Sequence, residues 1–345
     1  MVLIGTLVFL FPLVIWFRYS EAIVSSGGLY AFVEAAAGRT VARLQAVFWI
    51  ASYFLYLVYT VPFITYDLLP VVFPQATAYR LLVDVALTLL VIVVMLSPLI
   101  ITLLTIAAIA SIQVVISLLL AGVALAHLGA PAGSFIGHGN LEAVIPAAGR
   151  TSSLYICASL PLFLGGELRG GSQALRRGLG WAFGAVAGIA ILATFPLAAA
   201  SASITNADIP GFSLGRVLSG RWLALLVGVG VAVSVAGLII VEFLALSRLL
   251  AALLTRPRLQ MVRVLCGLFF AGSLVSLLNP AAAYNILLKP SLIALWIAQL
   301  MVVALYPWLK RRQRQLGAAD VGLAAAASAV MLFGLYSAVA TSPGT

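Results

Sequence analysis

Leu162-Phe163-Leu164-Gly165-Gly166-Glu167 interrupts an apolar stretch at mid-chain, and Ser25-Ser26-Gly27-Gly28-Leu29-Tyr30 makes a second break just after the first apolar run. Paired glycines weaken a helix, and a carboxylate beside them is costly wherever water is excluded. In lipid, backbone that leaves the helix must be buried in protein or line a cavity, because hydrocarbon satisfies none of its N–H and C=O groups. A Gly-Gly-Glu break at membrane depth therefore points to a binding site.

The surrounding composition puts these breaks in a membrane. Of 345 residues, 64% are hydrophobic and 8% charged, and the mean hydropathy is +1.20. A soluble protein of this length has no interior large enough to hide that surface. A helical span needs roughly 20 apolar residues. Ten candidates meet the pattern: 1–17, 43–68, 80–97, 99–127, 152–174, 178–200, 222–254, 261–279, 283–309 and 318–340. They do not alternate apolar with polar residues, which excludes the strands of an outer-membrane barrel. The sequence predicts an all-α integral membrane protein forming one polytopic domain over 1–345.

The net charge of +10 is distributed as in a membrane protein, not as a nucleic-acid patch. Arg39, Arg43, Arg176, Arg177, Arg256, Arg258, Arg263, Lys310, Arg311, Arg312 and Arg314 fall in every second loop. The loops between hold only Arg80, Arg150, Arg216 and Arg221. The positive-inside rule assigns the first group to the cytoplasm and both termini to the outside of the cytoplasmic membrane. Lys289, near an outer span end, reaches the interface by snorkelling. Segments 129–151 and 201–221 are the longest outside the spans, Ser97-Pro98 is an inner turn, and 34–43 is a short amphipathic stretch on the cytoplasmic surface. Met1 already lies in apolar sequence with no basic flank, so the start is not a signal peptide. An upstream start or a shortened chain is expected.

Enzymatic chemistry finds no support. Cys157 and Cys266 lie in separate apolar segments and read as small hydrophobes. His127 and His138 sit at a helix end and in a loop, and no nucleophile–base, metal or phosphate-loop spacing occurs. Two small-residue and aromatic patterns have both a packing and a pathway reading. Gly180, Gly184 and Gly188 share a helix face suited to close packing. Tyr53, Tyr56 and Tyr59 share another that could line a polar cavity, while Tyr66 suits an interfacial belt.

Of nine acidic residues, Glu21, Glu34, Asp67, Asp84, Glu142, Asp208 and Asp320 fit span ends or loops. Glu167 and Glu242 do not. A mid-membrane acid costs roughly 2.5–3.5 kcal/mol on insertion scales, so each should face a cavity or a partner. The bland alternatives are salt bridges, from Glu167 to Arg169 or Arg176 and from Glu242 to Arg248. The functional reading is an acid that holds a substrate ammonium or exchanges a proton.

Three motifs in order carry a resemblance. Tyr19-Ser20-Glu21-Ala22 with Ser26-Gly27-Gly28-Leu29-Tyr30-Ala31-Phe32-Val33-Glu34 and Gly38 resembles the end of the second helix of the amino acid–polyamine–organocation permeases. Phe163-Leu164-Gly165-Gly166-Glu167 resembles that family's broken sixth helix, and Ser247-Arg248-Leu249-Leu250-Ala251 the close of its eighth. The resemblance covers about 20–340 and implies a five-plus-five inverted-repeat fold in which the spans correspond to helices two to eleven. No segment matches the family's Gly-broken first helix; Gly5-Thr6-Leu7-Val8-Phe9 lies too close to the Ser26-Gly27-Gly28 motif.

The resemblance implies a secondary active transporter of amino acids or related amines, including polyamines, working by alternating access without a cofactor and coupled to protons or sodium. It implies a substrate site at Ser159, Pro161, Leu162, Phe163, Leu164, Gly165 and Gly166, with Glu242 facing the substrate. Tyr53 and Tyr56 join that site through the shared face read above. Glu167 is expected to serve coupling or inner gating. The alternative, favoured by the missing helix, is a truncated, non-transporting membrane protein or an accessory subunit with a permease-like fold.

Overall fold

The computed structural model describes residues 2–129, 155–198, 204, 207 and 209–340. Every regular element among them is helical. In chain order these are α1 (Val2–Ala22), α2 (Leu29–Ala37), α3 (Arg39–Pro62), a π-helical turn (Phe63–Leu68) and α4 (Leu69–Val72). A 3-10 turn (Pro74–Tyr79), α5 (Arg80–Leu96), α6 (Leu99–Leu128) and a 3-10 segment (Cys157–Glu167) follow. The remainder is α7 (Gly171–Ala198), α8 (Pro210–Ser219), α9 (Arg221–Leu254), α10 (Arg258–Ser276), α11 (Pro280–Ala304), α12 (Tyr306–Arg312) and α13 (Ala318–Ala340).

Among the described residues, nine helices are long and apolar enough to cross a bilayer, so the chain is a multi-pass, all-α membrane protein. Large apolar side chains cover its outside, such as Leu82, Leu90 and Val93 on α5 and Ile100, Leu104 and Val115 on α6. In water such a surface would drive aggregation; against lipid tails it costs nothing.

The expected span at 152–174 does not form one continuous α-helix where it is described. From Cys157 to Glu167 the chain winds as 3-10 helix. Pro161 offers no N–H to a helical ladder, and Gly165-Gly166 has no side chain to restrain its backbone. Residues 130–154, with His138, Glu142 and Arg150, lie outside the described residues, as does Asp208. The expected loop 201–221 contains α8.

Helix α1 runs past its predicted end at 17, through Arg18 and Glu21 to Ala22. Arg18 is held by the protein: its guanidinium donates to Asp320 and, at 3.2 Å, to the Tyr306 hydroxyl. Asp320 also accepts from the Gly317 N–H at 3.0 Å, which caps the start of α13. Tyr19, one residue on, stacks on Phe32 with ring centroids 4.7 Å apart. A small set of charged and aromatic groups thus gathers α1, α2, α12 and α13 at one end of the bundle.

Close helix contact is made by glycines other than those expected. Gly184 and Gly188 have nothing within 4 Å of a Cβ position, whereas on α9 a Cβ at Gly228, Gly230 or Gly237 would meet Val72, Ile116 or Ile109 at 2.5–2.6 Å. Small residues on α9 therefore bring α4 and α6 against it.

Asp84 is more enclosed than its place near a span end suggests. It is the fifth residue of α5 and fully buried. Its two carboxylate oxygens accept from Thr65 and Ser273, each at 3.0 Å, and Ser273 shares a 2.9 Å hydrogen bond with Thr88. The network joins the π-helical turn, α5 and α10. Replacing Asp84 with Leu removes the acceptor that two buried hydroxyls share and leaves Thr65 and Ser273 only their weaker local partners. We expect a loss of about 1–3 kcal/mol and a smaller loss for Asp84→Asn, which keeps an acceptor; thermal unfolding of the purified variants measures both.

Candidate functional site

The two polar breaks of the sequence lie against each other. Gly28 adopts φ +54°, and a Cβ there would fall 2.5 Å from the Phe163 ring. A Cβ on Gly166 would collide with the Ser26 hydroxyl, and one on Gly165 would sit 3.1 Å from the Ser25 carbonyl. The glycines are required because two stretches of backbone approach at contact distance. Each break supplies the protein wall that the other needs in lipid. Phe163 completes the joint, its ring 5.3 Å from Trp49 on α3.

An ion pair clamps this joint to α9. Arg248 Nε donates to Glu167 Oε1 at 2.9 Å and Nη2 to Oε2 at 2.8 Å, a two-pronged geometry that suits guanidinium and carboxylate. Nη1 donates to the Leu244 carbonyl at 3.1 Å. The Arg248 side chain is 2% exposed and that of Glu167 27%; Arg258 approaches Glu167 at 3.8 Å. The ion pairs weighed as the bland alternatives for the two acids do not form as written. Glu167 reaches across the fold to Arg248 and Arg258 instead of to Arg169 or Arg176, and Arg248 serves Glu167 rather than Glu242.

Glu242 lies elsewhere, on the wall of a cavity of about 720 Å³ between α3, α6, α7, α9 and α11. It is twelve residues, about 18 Å, from the end of α9. The side chain is buried, Oε1 lies 3.9 Å from the Cys157 thiol, and Oε2 has no hydrogen-bond partner among the described residues. The Tyr53 and Ser52 hydroxyls and Gln113 Oε1, also on this wall, share that condition. Tyr56 lines the cavity and Tyr59 does not; their rings are 5.0 Å apart. Ser291 on α11 donates to the Ser52 carbonyl at 2.9 Å and ties two walls together.

The expected site residues thus divide. Glu242, Tyr53 and Tyr56 share the cavity, and the 3-10 segment contributes Cys157 to it. Ser159, Pro161, Leu162, Phe163, Leu164, Gly165 and Gly166 are not in its lining. Ser159 is buried and accepts from Gln299 Nε2 at 2.9 Å, Leu162 and Phe163 are core, and Gly165 and Gly166 form the joint with the first break. On α7 the cavity is lined by Ala182 and Val186, not by the glycine face. Sequence reading missed Gln113 and Gln299. Each is a lone amide in a long apolar run, a signal as legible as that of Glu242. Cys157, read as a small hydrophobe, is a cavity residue.

A second cavity, of about 700 Å³, lies toward the other end of the same helices, lined by Tyr66, Asp67, Asn279 and Asn285 among others. Arg80 stacks on Tyr66 there, 5.2 Å from the ring centre.

Compared with family models and with curated proteins, the chain has no match.

The clamp makes an asymmetric prediction. Glu167→Ala leaves a buried guanidinium without its counter-charge and should cost about 3 kcal/mol or more. Arg248→Met strands only a partly exposed carboxylate and should cost less. The double variant should recover part of the loss, as read from a thermal-unfolding double-mutant cycle.

Proposed function

We propose that the chain is a secondary transporter for small molecules bearing an ammonium, amino acids or related amines, that works by alternating access across the cytoplasmic membrane with its basic loops inside. The observation that carries this reading is Glu242: a buried carboxylate, with one oxygen unpartnered among the described residues, on the wall of a cavity within the span of α9. The other buried or half-buried acids have visible answers, Asp84 in hydroxyls, Asp320 in Arg18 and Glu167 in Arg248. A carboxylate oxygen left open inside a membrane protein is suited to a cation that comes and goes.

The two cavities support a route. The outer one takes Pro62–Leu68 from the α3 end and Asn279–Asn285 from the α11 start; the central one takes Ser52–Tyr56 and Ser291–Trp296 from the same helices. Six residues, about 9 Å of helix, separate them, and buried Tyr59 stands between. On the cytoplasmic side the Glu167–Arg248 clamp closes the joint between the breaks, and breaking that fork is the step we assign to inward opening. Proton or sodium coupling would act on Glu167 or Glu242. We further propose that the helices follow the inverted-repeat plan of the amino acid–polyamine–organocation permeases, with the described spans in the positions of helices two to eleven, on the strength of the three motifs and the joint they build.

In proteoliposomes, saturable uptake or counterflow of at least one such compound is expected. Glu242→Gln should cut uptake of cationic substrates by about tenfold or more while sparing neutral ones; equal loss for both would remove the ammonium-binding role. Gly165→Val, which presses a side chain on the Ser25 backbone, should abolish uptake with membrane insertion intact, as followed by expression in the membrane fraction. Undiminished uptake would show that the joint is dispensable.

A further inference from the structure

The cavity around Glu242 has a one-sided charge inventory. Among the described residues its lining holds one carboxylate and no lysine, arginine or histidine. Lys289 is two residues from Ser291 on α11, about 200° around the helix, and is not in the lining. Arg248 is committed to Glu167. A substrate carboxylate placed here would lose its water and meet no cationic side chain on this wall, which is a large penalty.

A second ammonium fares no better. Glu242 is the sole acid in the described lining. Asp84, Asp320 and Glu167 are engaged elsewhere. Most of the wall is apolar, with Ile106, Ile109 and Val114 on α6 and Val186 and Ile189 on α7. The unpartnered polar atoms are acceptors and hydroxyls: Glu242 Oε2, Gln113 Oε1, Ser52 Oγ and Tyr53 Oη. An ammonium offers three N–H donors and no acceptor, which suits that set. Tyr53, Tyr56 and Trp296 add aromatic faces that favour a cation. The volume of about 720 Å³ suits a compact organic ligand.

From this asymmetry we infer that the cavity takes a lipophilic monoamine, one ammonium on an apolar body without a carboxylate, in preference to a zwitterionic amino acid or a polyamine. The inference rests on the reading of this cavity as the substrate site and narrows its ligand class. The ammonium sits on Glu242 with Gln113 and Tyr53, and the apolar body lies between α6 and α7.

The test uses the full chain in detergent and four probes: 2-phenylethylamine, phenylalanine, 1,8-diaminooctane and 2-phenylethanol. Each is titrated against thermal unfolding, where ligand bound to the native state raises the midpoint by mass action. Phenylethylamine should bind about tenfold tighter or more than each of the others. Glu242→Gln should lower it to the level of phenylethanol. Gln113→Lys, which puts a cation on the wall without touching Glu242, should weaken phenylethylamine and strengthen phenylalanine. This second variant keeps the test decisive if the first does not fold.

Phenylalanine or the diamine binding as tightly as phenylethylamine would overturn the inference, as would equal binding of the neutral alcohol or no binding of any probe. Counterflow in proteoliposomes separates the two levels. Phenylalanine flux with no binding of phenylethylamine overturns the ligand class and leaves the carrier. Tight, Glu242-dependent binding of phenylethylamine without flux supports the ligand class and overturns the carrier.

Discussion

A guanidinium in a membrane protein has to be answered by a counter-charge, and the answer to Arg248 organises this one. Its side chain is almost wholly enclosed, so the Glu167 carboxylate must come to it. That requirement fixes the mid-chain break against α9. The break reaches that position only because Gly165 and Gly166 let its backbone lie on Ser25 and Ser26, and Gly28 makes room for Phe163 in return. One ion pair and a few missing side chains therefore join α1, α2, α9 and the 3-10 segment. No hydrophobic driving force between helices is available in lipid to do this instead.

The same accounting separates scaffold from site. Asp84 is tied by hydroxyls on two neighbouring elements, Asp320 by Arg18, Tyr306 and its own N-cap, and Glu167 by Arg248. These groups are engaged in holding helices together. Glu242 is as deeply buried as Asp84, yet one oxygen faces no partner among the described residues, and so do neighbouring Tyr53, Ser52 and Gln113. Four unpartnered polar atoms on one cavity wall, a carboxylate oxygen among them, are the physical mark of a place kept for something else.

The arrangement divides the breaks from the pocket. The motif that first suggests a binding site builds the joint, while the cavity is walled by α3, α6, α7, α9 and α11, and the chain before the motif reaches its lining only at Ile156 and Cys157. On the proposed reading this is a sensible separation: a glycine-built, ion-paired joint is the part that can open, and stiff helices hold the groups that grip.

The sequence by itself determined the class. A mean hydropathy of +1.20 and apolar runs of helical length leave no alternative to a helical membrane protein, and the Gly-Gly breaks and the misplaced Glu167 and Glu242 are visible as costs that lipid does not forgive. It did not determine faces. In a soluble helix the polar side marks the outside; in a lipid-exposed helix both sides are apolar, so period alone does not say whether Asp84, Gln113 or Cys157 points inward. Nor does it pair distant charges: Arg248 stands six residues from Glu242 and eighty-one from Glu167, and only the packing of the 3-10 segment on α9 chose the second. The tertiary structure decided which acids are spent on the scaffold and which one is left open, because that depends on what each carboxylate meets across the helix interface.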